Sequence, residues 1–376
     1  MNSSLYKGET SLKYLRNCLA LLLWGIAAPA CHSAPAQQKD VGKRALAVLT
    51  EAMNNKNSDV RVIATEQWGP IGNPAALGLL RNAIKDKDPY VRIAAAGSLY
   101  QLKDKRGLPI LEAMVKKSPS AASANDPLAQ MRSIAANKVR VVALRALGRI
   151  GREESEGVAK RALSDPDGQV RDAAATMLAR FGDERRLNRF VMALESEDPG
   201  VRLQAVRALN DVATPVTLDF LKPLAKDKDA GVRAAVLGAL ASVGGENVRP
   251  AIEKALEDED ALVRSKALAA LGRLGLETTK PAFEKILKKP ESPYSELLAV
   301  AGLARLGVKV DATVARKALR QSDADVRMLA VEVLEARGGP GDIVALKSAL
   351  GDQAARVRVG AAAALVRLLQ SGKDTK

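Results

Sequence analysis

The dipeptide Val-Arg returns nine times along this chain, at Val60-Arg61, Val91-Arg92, Val139-Arg140, Val170-Arg171, Val201-Arg202, Val232-Arg233, Val263-Arg264, Val326-Arg327 and Val357-Arg358. Successive arginines lie 31, 48, 31, 31, 31, 31, 63 and 31 residues apart. A dominant period of this length means that each unit is one supersecondary element too small to bury its own apolar face. Stacked neighbours must then share a continuous core. Such a chain is expected to work through a surface rather than an enclosed pocket.

The long gap of 63 contains a worn copy, Ser295-Glu296 followed by Leu297, Leu298 and Ala299, and the gap of 48 is one period plus 17 residues. Counting the worn copy gives ten units. Four places past the Val stands Ala in nine of them, from Ala64 and Ala95 to Ala330 and Ala361, with Val236 the exception. Eight places past it stands Leu in nine, with Trp68 in the first. Positions 0, 4, 8 and 11 share one face of an α-helix, so the spacing predicts a second helix per unit with a buried stripe. The small Ala lets another helix approach closely.

Three residues before the Val stand Asp88, Asp167, Asp198, Asp229, Asp260 and Asp323, with Asn57 and Ser292 as substitutes. Their oxygens suit the orphan N–H groups of a helix's first turn, and the charge suits its dipole. Gly-x-x-Gly runs at Gly148 to Gly151 and Gly272 to Gly275 supply a left-handed stop. A first helix precedes each cap, as in Leu187 to Leu194 or Val248 to Leu256. Each unit therefore reads as helix, short loop, helix, turn.

This pattern resembles HEAT repeats of the short, 31-residue type found in phycobilin lyase subunits and related HEAT-like proteins, over about Val41 to Leu369. The fold expected is all-α: a right-handed α-solenoid of ten helical hairpins forming a single domain over 37–376, with an insertion near 118–134. The resemblance leaves function open. It covers scaffolds, adaptors, chromophore lyases, a metal-dependent hydroxylase and DNA-repair glycosylases, and fold alone does not select among them.

Residues 1–36 read as a leader. Lys7, Lys13 and Arg16 precede an apolar run from Cys18 to Ala28, too short to span a bilayer and suited to a signal peptide. The chain is expected to be exported to the periplasm or cell envelope. A small-x-small site at Ala34-Pro35-Ala36 would start the mature chain at Gln37, whereas Cys31 after Ala30 is the alternative exit through lipid modification.

Cys18, Cys31 and His32 are the only cysteines and histidine, and all lie in the leader. The repeat region therefore has no disulfide, no Cys- or His-based metal site, no Cys nucleophile and no His general base. The related hydroxylases hold iron with His-Glu pairs, whereas His32 is followed by Ser33. Glu153-Glu154 and Asp258-Glu259-Asp260 stand at a loop or helix start, where acidic residues are ordinary. No catalytic, cofactor-binding or metal-binding residue is assigned, and no cofactor is expected.

Formal net charge is +15, and loss of the leader removes Lys7, Lys13, Arg16 and Glu9, so the excess falls by two. That balance favours anionic partners. The repeat arginines Arg92, Arg171, Arg202, Arg233, Arg264 and Arg327 are expected to form a structural ladder with Asp88, Asp167, Asp198, Asp229, Asp260 and Asp323. A paired charge is a poor free donor for a ligand. A second row stands ten places past the Val at Arg149, Arg180, Arg273, Arg305 and Arg367, with Arg145 and Arg207 at six places. In HEAT-like proteins the second helix lines the concave face, so this row is the expected partner-binding stripe. Its ordinary alternative is a cation complementing the dipole of each last turn.

Ser118 to Asp126 is small and polar and reads as a loop, after which Pro127 starts a helix capped by Asp126 and continuing through Met131 and Ile134 into the Val139-Arg140 helix. Ala136 replaces the cap Asp there, so a rung is expected to be missing. Nucleic acid is the rival partner for a basic solenoid. Few aromatics follow the leader, and Trp68 and Phe181 occupy core positions, leaving little for stacking. A phycobilin-lyase-like subunit is the rival enzyme reading and rests on resemblance alone. The residues point instead to a non-catalytic scaffold binding an acidic protein partner.

Overall fold

The computed structural model describes residues 35–119, 126–151 and 155–371. The leader with Cys31 and His32, most of the 118–126 loop and Glu153-Glu154 lie outside the described residues. Described elements are helical, with no strand among them. Odd-numbered helices are the first of each hairpin and even-numbered ones the second. They are α1 (Pro35–Met53), α2 (Ser58–Ile71), α3 (Leu77–Ala83), α4 (Pro89–Gln101), α5 (Leu108–Lys116), α6 (Pro127–Ile150), α7 (Glu156–Ala162), α8 (Gly168–Arg180), α9 (Asn188–Ala193) and α10 (Pro199–Val212). They continue as α11 (Leu218–Leu221), α12 (Ala230–Val243), α13 (Arg249–Lys254), α14 (Ala261–Leu274), α15 (Lys280–Lys288), α16 (Pro293–Arg305), α17 (Thr313–Ala318), α18 (Ala324–Arg337), α19 (Pro340–Ala349) and α20 (Ala355–Ser371). Short 3-10 turns lead into or out of many first helices.

Each second helix begins where its cap stands. Asp88 accepts from the Tyr90 N–H at 2.8 Å, Asp167 from Gln169 at 2.9 Å and Asp198 from Gly200 at 2.7 Å. Asp229, Asp260 and Asp323 do the same for α12, α14 and α18, and Asn57 and Ser292 stand in for α2 and α16. Stops are less uniform than the Gly-x-x-Gly runs suggest. Gly275 ends α14 at φ 62°, whereas Gly151 ends α6 in extended backbone, and α10 stops on Ala213 at φ 46°.

The small position does what close helix packing needs. Ala64, Ala95, Ala143, Ala174, Ala267, Ala299, Ala330 and Ala361 are wholly buried, as is Val236 in the one unit that departs from Ala. Trp68 and the nine leucines of the eighth place are also buried. The Val position splits instead. Val91, Val170, Val232, Val263 and Val357 are buried, but Val201 is exposed and Val60, Val139 and Val326 are half-buried. In those four units the neighbouring arginine is the buried residue: Arg61, Arg140, Arg202 and Arg327.

Where the sequence reading places one unbroken stack over 37–376, the helices gather into two compact units, residues 111–308 and residues 1–110 with 309–376. Both boundaries fall at the irregular steps of the repeat. One precedes the insertion after Lys117 and the other follows the worn copy at Ser295-Glu296. In the 111–308 unit, α6, α8, α10, α12, α14 and α16 pack side by side in that order. In the other unit the order is α18, α20, α2, α4, because α20 packs against both α1 and α2.

That last contact buries apolar faces of the first and last hairpins against each other. The buried face of α1 carries Val41, Ala45, Leu46 and Leu49, and in α20 Ala361, Ala362, Ala363, Ala364 and Leu365 are all buried. Four successive residues sample nearly the whole circumference of a helix. Helix α20 is therefore covered all round.

Candidate functional site

The arginines of Val-Arg are occupied by the fold. All but Arg140 send one guanidinium nitrogen back to two carbonyls in the loop of their own hairpin. Arg233 reaches the carbonyls of Asp227 and Lys228, and Arg327 those of Gln321 and Ser322. The remaining N–H groups go forward to a carboxylate 25 residues ahead. Arg61 holds Asp86, Arg202 holds Asp227, Arg233 holds Asp258 and Arg327 holds Asp352, each through both carboxylate oxygens at 2.7–2.9 Å. One step back by 6 and one forward by 25 make up the period of 31. A single Asp thus receives two arginines: Asp227 gives its carboxylate to Arg202 and its carbonyl to Arg233.

The ladder is therefore real but uses other carboxylates than expected. The caps Asp88, Asp167, Asp198, Asp229, Asp260 and Asp323 spend their oxygens on helix N–H groups. The rungs are formed two residues earlier, by Asp86, Asp165, Asp227, Asp258 and Asp352. Most of these also accept the N–H of the following cap, as Asp86 does from Asp88 at 2.8 Å. Arg92 and Arg171 make only the backward contacts, because Lys117 and Ser196 stand where a rung carboxylate would be. Arg264 turns to Glu291 instead.

Burial pushes the Asp86, Asp165, Asp227 and Asp352 carboxyls up, and the arginine and backbone N–H donors outweigh it, leaving each below the usual carboxylate range. For Asp258 the hydrogen bond from Arg233 is the larger effect and the result is the same.

The rung from Arg92 into the insertion is missing, as Lys117 shows, but Arg140 on the far side of the insertion keeps its own forward rung. Helix α6 runs the full length anticipated, with Asp126 accepting from the Ala129 N–H at 2.9 Å. Arg140 is buried, bonded to Asp165, to the Asn137 side chain at 3.0 Å and to the Val115 carbonyl at 2.9 Å. Asn137, one place past Ala136, in turn donates to Asp167 at 2.8 Å. No cap is needed at Ala136, because α6 runs unbroken through it, and Asn137 instead ties Arg140 to Asp167.

The second arginine row separates into used and unused members. Arg145 on α6 meets Asp211 on α10, Nε to Oδ2 at 2.7 Å. Helix α8 lies between them. Neighbouring helix axes stand roughly 8–10 Å apart, so a flat array would place α6 and α10 beyond the reach of these two side chains. The ends of α6, α8 and α10 must curl toward one another at this point. Arg180 on α8 donates to the carbonyls of Asp211 and Val212 at 3.3 Å, satisfying the end of α10, whose stop residue is Ala213 rather than Gly. Arg367 on α20 is bonded to Glu335 on α18, with one contact at 2.8 Å. Arg305 is also engaged and lies against Gly272.

Arg149, Arg207 and Arg273 differ. All three are exposed, on α6, α10 and α14, and none has an ion-pair partner among the described residues. They are the members of this row that the fold does not use for itself. A small, shallow concavity of about 20 Å³ lies at the upper end of this row, lined by Leu144, Arg145, Gly148, Arg149, Ala173, Thr176, Met177, Arg180 and Asp211.

Asp211 and Glu335 were not among the residues singled out from sequence. Asp211 stands ten places past Val201, in the arginine row itself, so its exchange of charge at an equivalent position was the available signal. Phe181, expected in the core, is half-exposed at the end of α8. Among the described residues, no three His, Cys, Asp or Glu side chains gather as metal ligands would, and no helix is long and apolar enough to cross a membrane.

The sequence matches the family model described as HEAT repeats at residues 46–124, 125–210, 187–241 and 218–304. No curated protein sequence matches. Among solved structures, human deoxyhypusine hydroxylase in complex with glycerol is 20% identical, with 73% of this chain and 99% of that chain covered and a TM-score of 0.32. The complex of CpcE and CpcF of phycocyanin lyase from Nostoc sp. is 21% identical, with 69% and 93% covered and a TM-score of 0.37. Kap121p is 13% identical, with 89% and 42% covered and a TM-score of 0.35. With the family model spanning more than half of the sequence and ten helical hairpins among the described residues, nine of them on the Val-Arg register, the chain belongs to the HEAT repeat family.

Proposed function

We propose that this HEAT repeat chain is a non-catalytic scaffold that binds an acidic protein partner along the arginine-bearing ends of α6, α10 and α14. One observation carries the reading. Within the two arginine rows of the repeat, the fold engages most members through the rungs and through Asp211 and Glu335, yet leaves Arg149, Arg207 and Arg273 exposed and unpartnered among the described residues. Guanidinium groups at exposed helix ends attract carboxylates and remain available to bond them bidentately. Export to the cell envelope belongs to the same reading and is supported by the basic and apolar pattern of residues 7–28, with Cys31 as an alternative lipid anchor.

The test is charge reversal of the unpaired row. Chain beginning at Gln37 is used as bait in envelope extract, and the acidic protein recovered is titrated calorimetrically. Arg149→Glu, Arg207→Glu and Arg273→Glu together are expected to abolish its binding while leaving helicity unchanged, because none touches a rung. Equal affinity of the triple variant overturns the proposal. Tight, steeply salt-dependent binding of DNA by the wild type would favour nucleic acid instead. Cell fractionation of a tagged full-length chain, with Cys31→Ser as comparison, checks export and the lipid anchor.

A further inference from the structure

The concavity between the ends of α6, α8 and α10 brings together three guanidinium groups, those of Arg145, Arg149 and Arg180, and one carboxylate, that of Asp211. Arg145 is 44% exposed and Asp211 30% exposed, so their 2.7 Å contact can open without uncovering a buried charge. Arg180 faces the same space while bonded to the carbonyls of Asp211 and Val212. Arg149 has no ion-pair partner there among the described residues. Beneath the charges the floor is apolar, made by Leu144, Ala173 and Met177, with Gly148 facing the Met177 side chain. Three like charges are drawn into one small recess and only one is neutralised.

We infer that this recess is the anchor site for a single carboxylate side chain of the acidic partner, and that Asp211 is an internal stand-in which the incoming carboxylate displaces from Arg145. The inference rests on the acidic-partner reading and deepens it by naming the point of entry. Guanidinium forks match the two oxygens of a carboxylate, and Asp211 shows that a carboxylate on a short side chain fits between α6 and α10. Displacing Asp211 leaves it half-exposed to solvent rather than buried, so exchange is not prevented by a stranded charge.

The experiment uses fluorescence anisotropy with a labelled peptide of alternating Glu and Gly, a Gln-Gly peptide of the same length as control, and the chain from Gln37 onward. Wild type is expected to prefer the Glu peptide. Arg149→Gln, which breaks no contact within the described fold, is expected to weaken it about tenfold, the effect of losing one partly exposed charge-assisted bond. Asp211→Asn is expected to strengthen binding several-fold by freeing Arg145, whereas Asp219→Asn, an exposed carboxylate on α11, leaves it unchanged. Equal effects of the two Asp variants would reduce the gain to net charge and overturn the inference. If Arg207→Gln and Arg273→Gln weaken binding but Arg149→Gln and Asp211→Asn do not, the acidic-partner reading stands and the recess falls. Displacement of the peptide by inorganic phosphate, at concentrations where acetate has no effect, would overturn the carboxylate assignment.

Discussion

Arg61 grips both carboxylate oxygens of Asp86, twenty-five residues ahead on the next hairpin, at 2.8 and 2.9 Å. The same arginine closes its own hairpin loop through the carbonyls of Asn55 and Lys56. Each rung therefore fixes a loop and the spacing to the next unit at once. Its side chains are 7% and 17% exposed, so removal of one partner strands the other away from water.

Arg61→Ala is expected to destabilise the chain by about 3–5 kcal/mol, the usual cost of orphaning a buried ionic partner. Urea unfolding measures it, and Asp86→Ala with the double variant completes a cycle. A coupling indistinguishable from zero would show that the bidentate contact does not link the hairpins.

Acid should loosen the ladder. The Asp86, Asp165, Asp227, Asp258 and Asp352 carboxyls all lie below their unfolded value of roughly 3.9. The unfolded state then binds protons first, so the stabilisation is complete above that value and is lost as pH falls through the lower folded values. Thermal stability is expected to be flat from neutrality to about pH 5 and to drop steeply below pH 4. A midpoint independent of pH between 2 and 5 would contradict this account.

Helix α20 is expected to reject charge on every side. Aspartate placed singly at Ala361, Ala362, Ala363 and Ala364, all fully buried, should cost about 4 kcal/mol or more each. Ala336→Asp, on the exposed side of α18, is the control. Tolerance at any one of the four positions in chemical denaturation would mean that α20 has a free face and does not pack against α1, α2 and α18 together.

Ala213 holds φ at 46° where α10 ends, a conformation that costs a side-chain-bearing residue about 1–2 kcal/mol. Ala213→Gly removes that strain, partly offset by the greater freedom of Gly in the unfolded chain. The net gain expected is about 0.5–1 kcal/mol, read as a higher denaturation midpoint.

Gly302 shows the opposite sign. A Cβ there would stand 2.4–2.7 Å from the Phe283 ring, which is fully buried and has no room to retreat. Helix propensity favours Ala over Gly by about 1 kcal/mol, but overpacking costs about 1–3 kcal/mol. Gly302→Ala is expected to lower the midpoint.

Much of this was legible because the repeat makes its requirements periodic. The Ala and Leu places, the Asp caps and the long helix starting at Pro127 are local or i, i+4 features, and a helix's own geometry connects them. The rung carboxylates were not legible in the same way. Asp86 and Asp88 are two residues apart with the same side chain, and nothing in the spacing says which one caps and which one faces the preceding hairpin. The unused arginines were equally hidden, since Arg149, Arg180 and Arg367 occupy one equivalent place and differ only in what neighbouring helices bring to them.

The period of 31 and its apolar register were enough to determine helical hairpins, their number and the need for neighbours to pack together, because no single hairpin can bury its own stripe. Tertiary structure alone decided which charges remain free. Whether Asp211 reaches Arg145 depends on how tightly α6, α8 and α10 converge, and whether α20 has a solvent face depends on α1 and α2 arriving from the other end of the chain. Both are distances between segments far apart in sequence, set by packing rather than by any residue's own preference.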